Sequence, residues 1–282
     1  MEQLYFCTRW GSEDLSWADF MEEAKDAGYD GVETSLPVNP VEQEELINNL
    51  LKFDLKLIGV HWDTVTADFC RHKEEMEQRL RALTAIKPLF ITSHTGKDHF
   101  SFEQNVELLS LAQEIGLSEG TEIFHETHRG KFSFAAHLTM PYLEQLPWLK
   151  LTLDISHWYT VAESYLDDQN RAVELALSHT AHIHSRVGFT QGPQTPDPRN
   201  PEWQEALQHH LACWDKVFNI REAAGAGRFT ITPEFGPFPY MALQTSPEAA
   251  ALHQWDINQY MKDLLKDRYQ PLPIVETVQK YI

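Results

Sequence analysis

Apolar residues along the chain gather into short runs that alternate with longer stretches of helical periodicity. Leu4–Thr8 reads as a first strand. Behind it Trp17, Phe20, Met21 and Ala24 fall on one helical face, with Ser16 placed to cap that helix and Gly28 to end it. Tyr29–Thr34 predicts a second strand with Glu33 near its end, and Val41–Phe53 a helix. Leu55–Trp62 predicts a third strand ending in His61, followed by a charged helix over Arg71–Ile86. Pro88–Ser93 predicts a fourth, followed by His94, and Phe102–Ile115 a helix closed by Gly116. Thr121–Gly130 opens apolar, as a fifth strand, and ends in His125, Glu126, His128 and Arg129. Phe134–Leu146 is helical but carries Pro141, which predicts a break or a short first part.

Leu149–Ile155, Ala181–Ser185 and Phe229–Pro233 complete the strands. They alternate with helices over Asn170–Ser178, Trp203–Ala224 and Ser246–Lys266. This strand–helix repetition over about 250 residues predicts an α/β fold of the (β/α)8 TIM-barrel type. No Gly/Ser-rich or charged tract divides the chain, so residues 1–282 are expected to form a single domain. Residues 188–201 hold four prolines and two glycines. They predict a long, stiff loop that is a lid, an interface element or a rigid surface excursion.

Composition narrows the function classes. Of the 282 residues 42% are hydrophobic, enough for a substantial core. A formal net charge of -19 opposes nucleic-acid binding, which needs clustered Lys and Arg, and disfavours anionic membranes. The three cysteines are far apart and form no CxxC pair, so a thiolate zinc site or a redox dithiol is not expected. The first residues do not read as a secretory signal. No segment approaches the roughly 20 apolar residues that span a bilayer. A cytoplasmic location is therefore expected.

The chemistry gathers at strand ends. A buried strand favours Val, Ile, Leu and Phe, so charge at its end marks a polar site. Side chains on a barrel strand alternate between the interior and the helix layer. That parity puts Glu126, Asp154, His184 and Glu234 on inward faces at the C-terminal mouth, where barrel active sites lie. It turns His125 away from the axis. Three carboxylates and an imidazole this close would repel and desolvate one another unless a cation neutralises them. One divalent ion with mixed oxygen and nitrogen ligands is the simplest answer, and Mn²⁺, Mg²⁺, Co²⁺ and Zn²⁺ all suit such donors.

The quoted motifs are H-E-T-H at His125–His128, L-D-I-S-H at Leu153–His157, H-I-H at His182–His184 and T-P-E-F-G at Thr232–Gly236. Through them the chain resembles the xylose-isomerase-like TIM-barrel superfamily, over essentially its whole length. That superfamily includes ketose 3-epimerases, hydroxypyruvate isomerase, inosose dehydratase and endonuclease IV. The resemblance implies Glu126, Asp154, His184 and Glu234 as ligands of one metal ion, and His157 as a substrate contact. It also implies proton transfer through an enediolate, with Glu126 and Glu234 as the two carboxylates that take and return the proton.

Around this set, Arg186 shares the inward face of His184, and His128, Arg129 and Lys131 follow Glu126 closely. These cations either meet an anionic group on the substrate or balance the acidic ligands. His61 and His94 end their strands and either line the pocket or serve as satisfied core histidines. Trp10, Trp62 and Trp158 are candidates for apolar walls or for ordinary core packing.

The leading expectation is a metal-dependent sugar isomerase or epimerase, acting on a sugar or sugar acid, with a homodimer as the expected assembly. A lyase, dehydratase or decarboxylase on a keto-sugar acid would use the same site, with Arg129 and Arg186 holding the carboxylate. An endonuclease is opposed by the net charge and by Asp197-Pro198-Arg199, where the resemblance would require a histidine in place of Arg199. A sugar-binding or metal-storing barrel is opposed by the paired glutamates.

Overall fold

A computed structural model describes residues 1–241 and 246–270. Eight strands run β1 (Glu2–Thr8), β2 (Gly31–Ser35), β3 (Lys56–His61), β4 (Ile91–Ser93), β5 (Ile123–Glu126), β6 (Leu151–Leu153), β7 (Thr180–His184) and β8 (Arg228–Thr232). Each pairs in parallel with the next, and β1 closes onto β8, giving a closed barrel in chain order. The helices on its outside are α1 (Trp17–Asp26), α2 (Pro40–Phe53), α3 (Phe69–Ala85), α4 (Phe102–Glu119), α5 (Ala136–Gln145), α6 (Ser156–Ala162), α7 (Asn170–His179), α8 (Gln204–Ala223) and α9 (Pro247–Tyr269). This is the (β/α)8 architecture that the hydrophobic pattern predicts.

Local chemistry starts several helices. Ser16, Asn39 and Asp68 accept from backbone N–H groups of the first turns of α1, α2 and α3. Ser101 and Gln104 form a reciprocal capping box at the start of α4. Three expectations are corrected. Helix α4 continues through Gly116 and ends at Gly120, whose φ of 68° suits a left-handed cap. Gly116 marks a close approach instead, because a Cβ there would lie 2.8 Å from the Thr121 carbonyl oxygen. Helix α5 carries Pro141 within it and runs on to Gln145 without a break. Finally, β6 turns directly into α6. Ile155 is already αR and no side chain caps the helix, so the apolar sequence gives no stop signal between strand and helix.

Two apolar layers hold the barrel. Leu4, Phe6, Ile58, Phe90 and Phe124 pack together in the interior, with the Phe90 and Phe124 rings 4.4 Å apart. A larger layer between sheet and helices includes Met21, Leu46, Leu80, Leu109, Ile183 and Trp214, all fully buried. Above the phenylalanines the interior turns polar. Thr92 and Thr152 meet across it at 3.1 Å, and the His182 ring lies 5.1 Å from Phe90. Buried polar side chains therefore gather toward the C-terminal end of the barrel.

The loop of residues 188–201 is fastened down. The Gln194 side chain donates to and accepts from the Gly236 backbone, at 3.1 and 2.8 Å. Arg199 holds Asp197 and reaches Asp256 on α9 at 2.6 Å. These contacts tie the loop to the β8 side of the mouth and to α9. Among the described residues no helix is long and apolar enough to cross a membrane.

Candidate metal centre

Glu126 is the last residue of β5, His184 the last of β7, Asp154 directly follows β6, and Glu234 lies two residues past the end of β8. Backbone staples fix these ends. Thr127 Oγ1 donates to the Asp154 carbonyl and accepts from the Asp154 N–H, both at 2.9 Å. Ser133 donates to the Glu126 carbonyl. As a result one ligand atom from each of Glu126, Asp154, His184 and Glu234 lies within 4.8 Å of all the others. His184 is central. Its Nδ1 lies 3.3 Å from Glu126 Oε1 and 3.2 Å from Glu234 Oε2.

Beneath them sits Glu33, buried within β2. Its Oε1 lies 3.0 Å from His184 Nε2 and its Oε2 3.3 Å from His182 Nε2, and it accepts from Thr232 Oγ1. Burial alone would raise the Glu33 carboxyl, but His184 and His182 hold it well below the usual range. Burial likewise opposes a charge on His184, yet Glu234, Glu33 and Glu126 around it raise it well above the ordinary imidazole value. Glu126 is held low against its burial by His94 and His184.

Asp154 is held from two sides. Its Oδ1 accepts from the Ser156 N–H at 3.0 Å and from Ser156 Oγ at 2.5 Å, and its Oδ2 accepts from Arg186. Burial nonetheless raises it to about 6, against the pull of Arg186. Arg186 is itself only 1% exposed, so its charge serves this cluster rather than solvent. Its Nη2 also lies 2.8 Å from His157 Nε2.

The remaining sequence candidates divide. His94 pairs with Glu126, and its ring lies 4.7 Å from His128. His128 in turn lies 4.0 Å from His157, and burial lowers its imidazole to about 3. Arg129 Nε donates toward His157 Nδ1 at 3.0 Å. Thus His94, His128, Arg129, His157 and Arg186 all join the site. His61 does not join it. It turns to the helix side, where Nδ1 meets Ser93 Oγ at 2.8 Å and Nε2 meets Thr64 Oγ1 at 2.7 Å. Its place on β3 is out of step with the inward Ile58, so the expectation that it lines the pocket is corrected. His125 also faces the helix layer, bonded to Thr95 at 2.7 Å.

Of the tryptophans, Trp10 reaches the site and packs edge-on against Tyr240 at 5.1 Å. A Cβ at Gly236 would lie 2.2 Å from the Trp10 ring, so a glycine is required there. Trp158 is core, donating to the Ser133 carbonyl at 2.7 Å, and Trp62 is 53% exposed. Sequence reasoning missed Glu33 and Tyr240 as site residues. Glu33 carried a signal, a carboxylate within an apolar strand with inward parity. Tyr240 carried none, because it lies on a loop of no fixed period.

Neither a family model nor a curated protein matches the sequence. Solved structures do resemble the chain. The probable 3-DHS dehydratase of Bacillus anthracis aligns over 95% of this chain and 100% of its own, at 17% identity and a TM-score of 0.61. The 3-keto-D-glucoside 4-epimerase of E. coli aligns over 93% of this chain and 100% of its own, at 13% identity and a TM-score of 0.57. A xylose isomerase-like TIM barrel protein from Mycobacterium smegmatis, solved with magnesium, aligns over 93% of this chain and 97% of its own, at 10% identity and a TM-score of 0.56. The chain shares the (β/α)8 barrel fold of these structures. At these identities the likeness is one of fold, and the chemistry rests on the residues themselves.

The residues present at the mouth of this barrel fit a divalent ion. Among the described residues, Glu126 Oε1, Glu126 Oε2 and His184 Nδ1 are buried without a hydrogen-bond partner. Buried polar atoms are nearly always satisfied, so such a cluster needs a partner. The three carboxylates of the set, with Glu33 beneath them, outnumber Arg186, the one guanidinium paired to them. Hard oxygen donors with one imidazole suit Mg²⁺, Mn²⁺, Co²⁺ or Zn²⁺.

Proposed function

We propose that the chain is a divalent-metal-dependent sugar isomerase or epimerase, acting through an enediolate on a ketose or related keto-sugar. The observation that carries this reading is the pair of carboxylates, Glu126 and Glu234, that meet at His184 Nδ1, at 3.3 and 3.2 Å. Two carboxylates at one centre can remove a carbon-bound proton and return one. A bound divalent ion, Mn²⁺, Mg²⁺, Co²⁺ or Zn²⁺, supplies Lewis-acid polarisation of the substrate oxygens.

Glu126, Asp154, His184 and Glu234 would hold the ion. Glu126 and Glu234 carry the proton. Their side chains differ in access, at 1% and 16% exposure, so Glu234 is the carboxylate that exchanges readily with water. Return of the proton to the opposite face gives epimerisation, and return to the neighbouring carbon gives aldose–ketose isomerisation. His157 and the stacked His94 and His128 bound the space beside Glu126.

A second reading, a lyase or dehydratase on a keto-sugar acid, is favoured by one observation: Arg129 stands next to His157 without a carboxylate partner among the described residues. The partner under either reading is a small sugar or sugar acid. An endonuclease reading gains no support, because Asp197 is occupied by Arg199 and by His253 at 3.9 Å. The test is a panel of ketoses and keto-sugar acids in deuterated water with added Mn²⁺. Deuterium uptake at carbon supports proton transfer. Release of water or carbon dioxide without epimerised or isomerised product supports the lyase reading instead.

A further inference from the structure

Two guanidiniums bracket His157. Arg186 Nη2 lies 2.8 Å from its Nε2, and Arg129 Nε lies 3.0 Å from its Nδ1. Both arginine groups can only donate. An imidazole offers one acceptor nitrogen when neutral and none when protonated. In either form at least one guanidinium edge at His157 lacks an acceptor.

The two arginines are otherwise unlike. Arg186 is sealed in the barrel and committed to Asp154 and Ser156, with Glu234 at 3.9 Å. Arg129 is half-buried on the loop after β5, and its other contact is the neutral Tyr240 hydroxyl, at 3.2 Å. Among the described residues it forms no ion pair within 4.0 Å. Both guanidiniums lie against the Tyr240 ring, at 4.7 Å for Arg186 and 5.6 Å for Arg129, with Trp10 packed edge-on behind it. The result is an aromatic-walled corner beside the carboxylate pair, open at Arg129 and closed at Arg186.

We propose that Arg129, with the Tyr240 hydroxyl, receives a carboxylate group of the substrate, which makes that substrate a monoanionic keto-sugar acid. This rests on the proton-transfer reading for its placement beside Glu126 and Glu234, and it names the substrate class of that site. Asp154 neutralises Arg186, whereas the charge on Arg129 faces only the His157 ring and the Tyr240 hydroxyl and is open to an anionic ligand. A carboxylate meets it one for one and pairs with a guanidinium edge in its preferred bidentate form. A phosphate would bring a second negative charge, and the other guanidinium of the corner, Arg186, is already paired with Asp154. The sequence suggested both arginines as carboxylate holders; the structure restricts that role to Arg129 and makes Arg186 the internal counter-ion.

The experiment compares three probes by titration calorimetry on the Mn²⁺-loaded full chain: D-glucuronate, D-glucose and inorganic phosphate. D-glucuronate is expected to bind at least about tenfold more tightly than D-glucose, in line with a charge-assisted pair. Arg129→Gln should erase that preference, Arg129→Lys should keep part of it, and Mn²⁺ affinity should stay unchanged in both as the control for folding. Equal affinities, no measurable glucuronate binding, or a preference that survives Arg129→Gln would overturn the assignment. Phosphate binding that matches glucuronate and depends equally on Arg129 would overturn it in favour of a phosphorylated ligand. The two proposals fail separately. Glucuronate preference without deuterium uptake in any sugar acid removes only the proton-transfer reading. Uptake into neutral ketoses, undiminished by Arg129→Gln, removes only this subsite.

Discussion

Glu33 Oε1 lies 3.0 Å from His184 Nε2, on the far side of the imidazole from Glu126 and Glu234. With an ion bound, the contact would keep the His184 proton on Nε2 and free the Nδ1 lone pair for the ion. It is the arrangement in which a carboxylate orients a ligating histidine and raises its basicity. Glu33 is in turn held by Thr232 and His182, and His182 lies 3.0 Å from the Thr230 carbonyl. The orientation of His184 is therefore set by β2, β7 and β8 together, before any ion arrives.

Glu33→Gln should weaken divalent-ion binding roughly 10- to 100-fold, the usual effect of losing such a partner. Competition with a chelating dye measures it. Unchanged affinity would show that Glu33 is only a filled core position.

Glu126→Gln and Glu234→Gln should each lower solvent-proton exchange into the true substrate by about 10²- to 10⁴-fold, the span of general acid–base catalysis. Nuclear magnetic resonance of the deuterated sugar reads the loss. Full exchange in either variant would remove that residue from the proton path.

Arg186→Met should destabilise the metal-free protein by about 3–5 kcal/mol, because it leaves the buried Asp154 charge without its partner. Urea unfolding gives the value. Saturating Mn²⁺ should recover part of the loss, since an ion bound to the folded state alone stabilises it by mass action.

Stability should fall as pH drops below about 6.5. Burial lowers His125 from 6.5 to about 3, and lowers His61 and His157 well below their ordinary value. These groups stay neutral in the fold, so the unfolded chain binds more protons, and stability rises with pH through this window. Their contribution is complete above 6.5 and is lost progressively toward 3 for His125. Asp154 works in the opposite sense in the metal-free protein. Its raised carboxyl contributes below 3.8 and loses that contribution as pH rises through about 6. Urea midpoints between about pH 7 and about pH 5 should decline in the metal-free chain, and His125→Asn should flatten the decline. An equal slope in the variant would contradict the buried neutral assignment.

The barrel was legible because its strands are short apolar runs and its helices are periodic, so each element announces itself locally. The inward set was legible because strand parity is strict: Phe124 in the interior puts Glu126 there too, and His125 outside. The same parity, applied to β3, would have placed His61 outside with its Ser93 and Thr64 partners. The sequence leaves both places open, because a strand-end histidine looks alike on either face. Gly116 and Pro141 misled as punctuation, since each is tolerated inside its helix by tertiary packing. Tyr240 and the bracketing of His157 by two arginines depend on contacts between residues 28 to 111 positions apart, which no local pattern encodes.

The central claim is that Glu126, Asp154, His184 and Glu234 form one mononuclear centre. The direct measurement is the number of Mn²⁺ ions bound per chain, by calorimetric titration of metal-stripped protein, in the wild type and in His184→Ala. One ion per chain in the wild type, lost in the variant with its fold intact by circular dichroism, is the result predicted. No bound ion, several ions per chain, or one ion retained at full affinity in His184→Ala would contradict it.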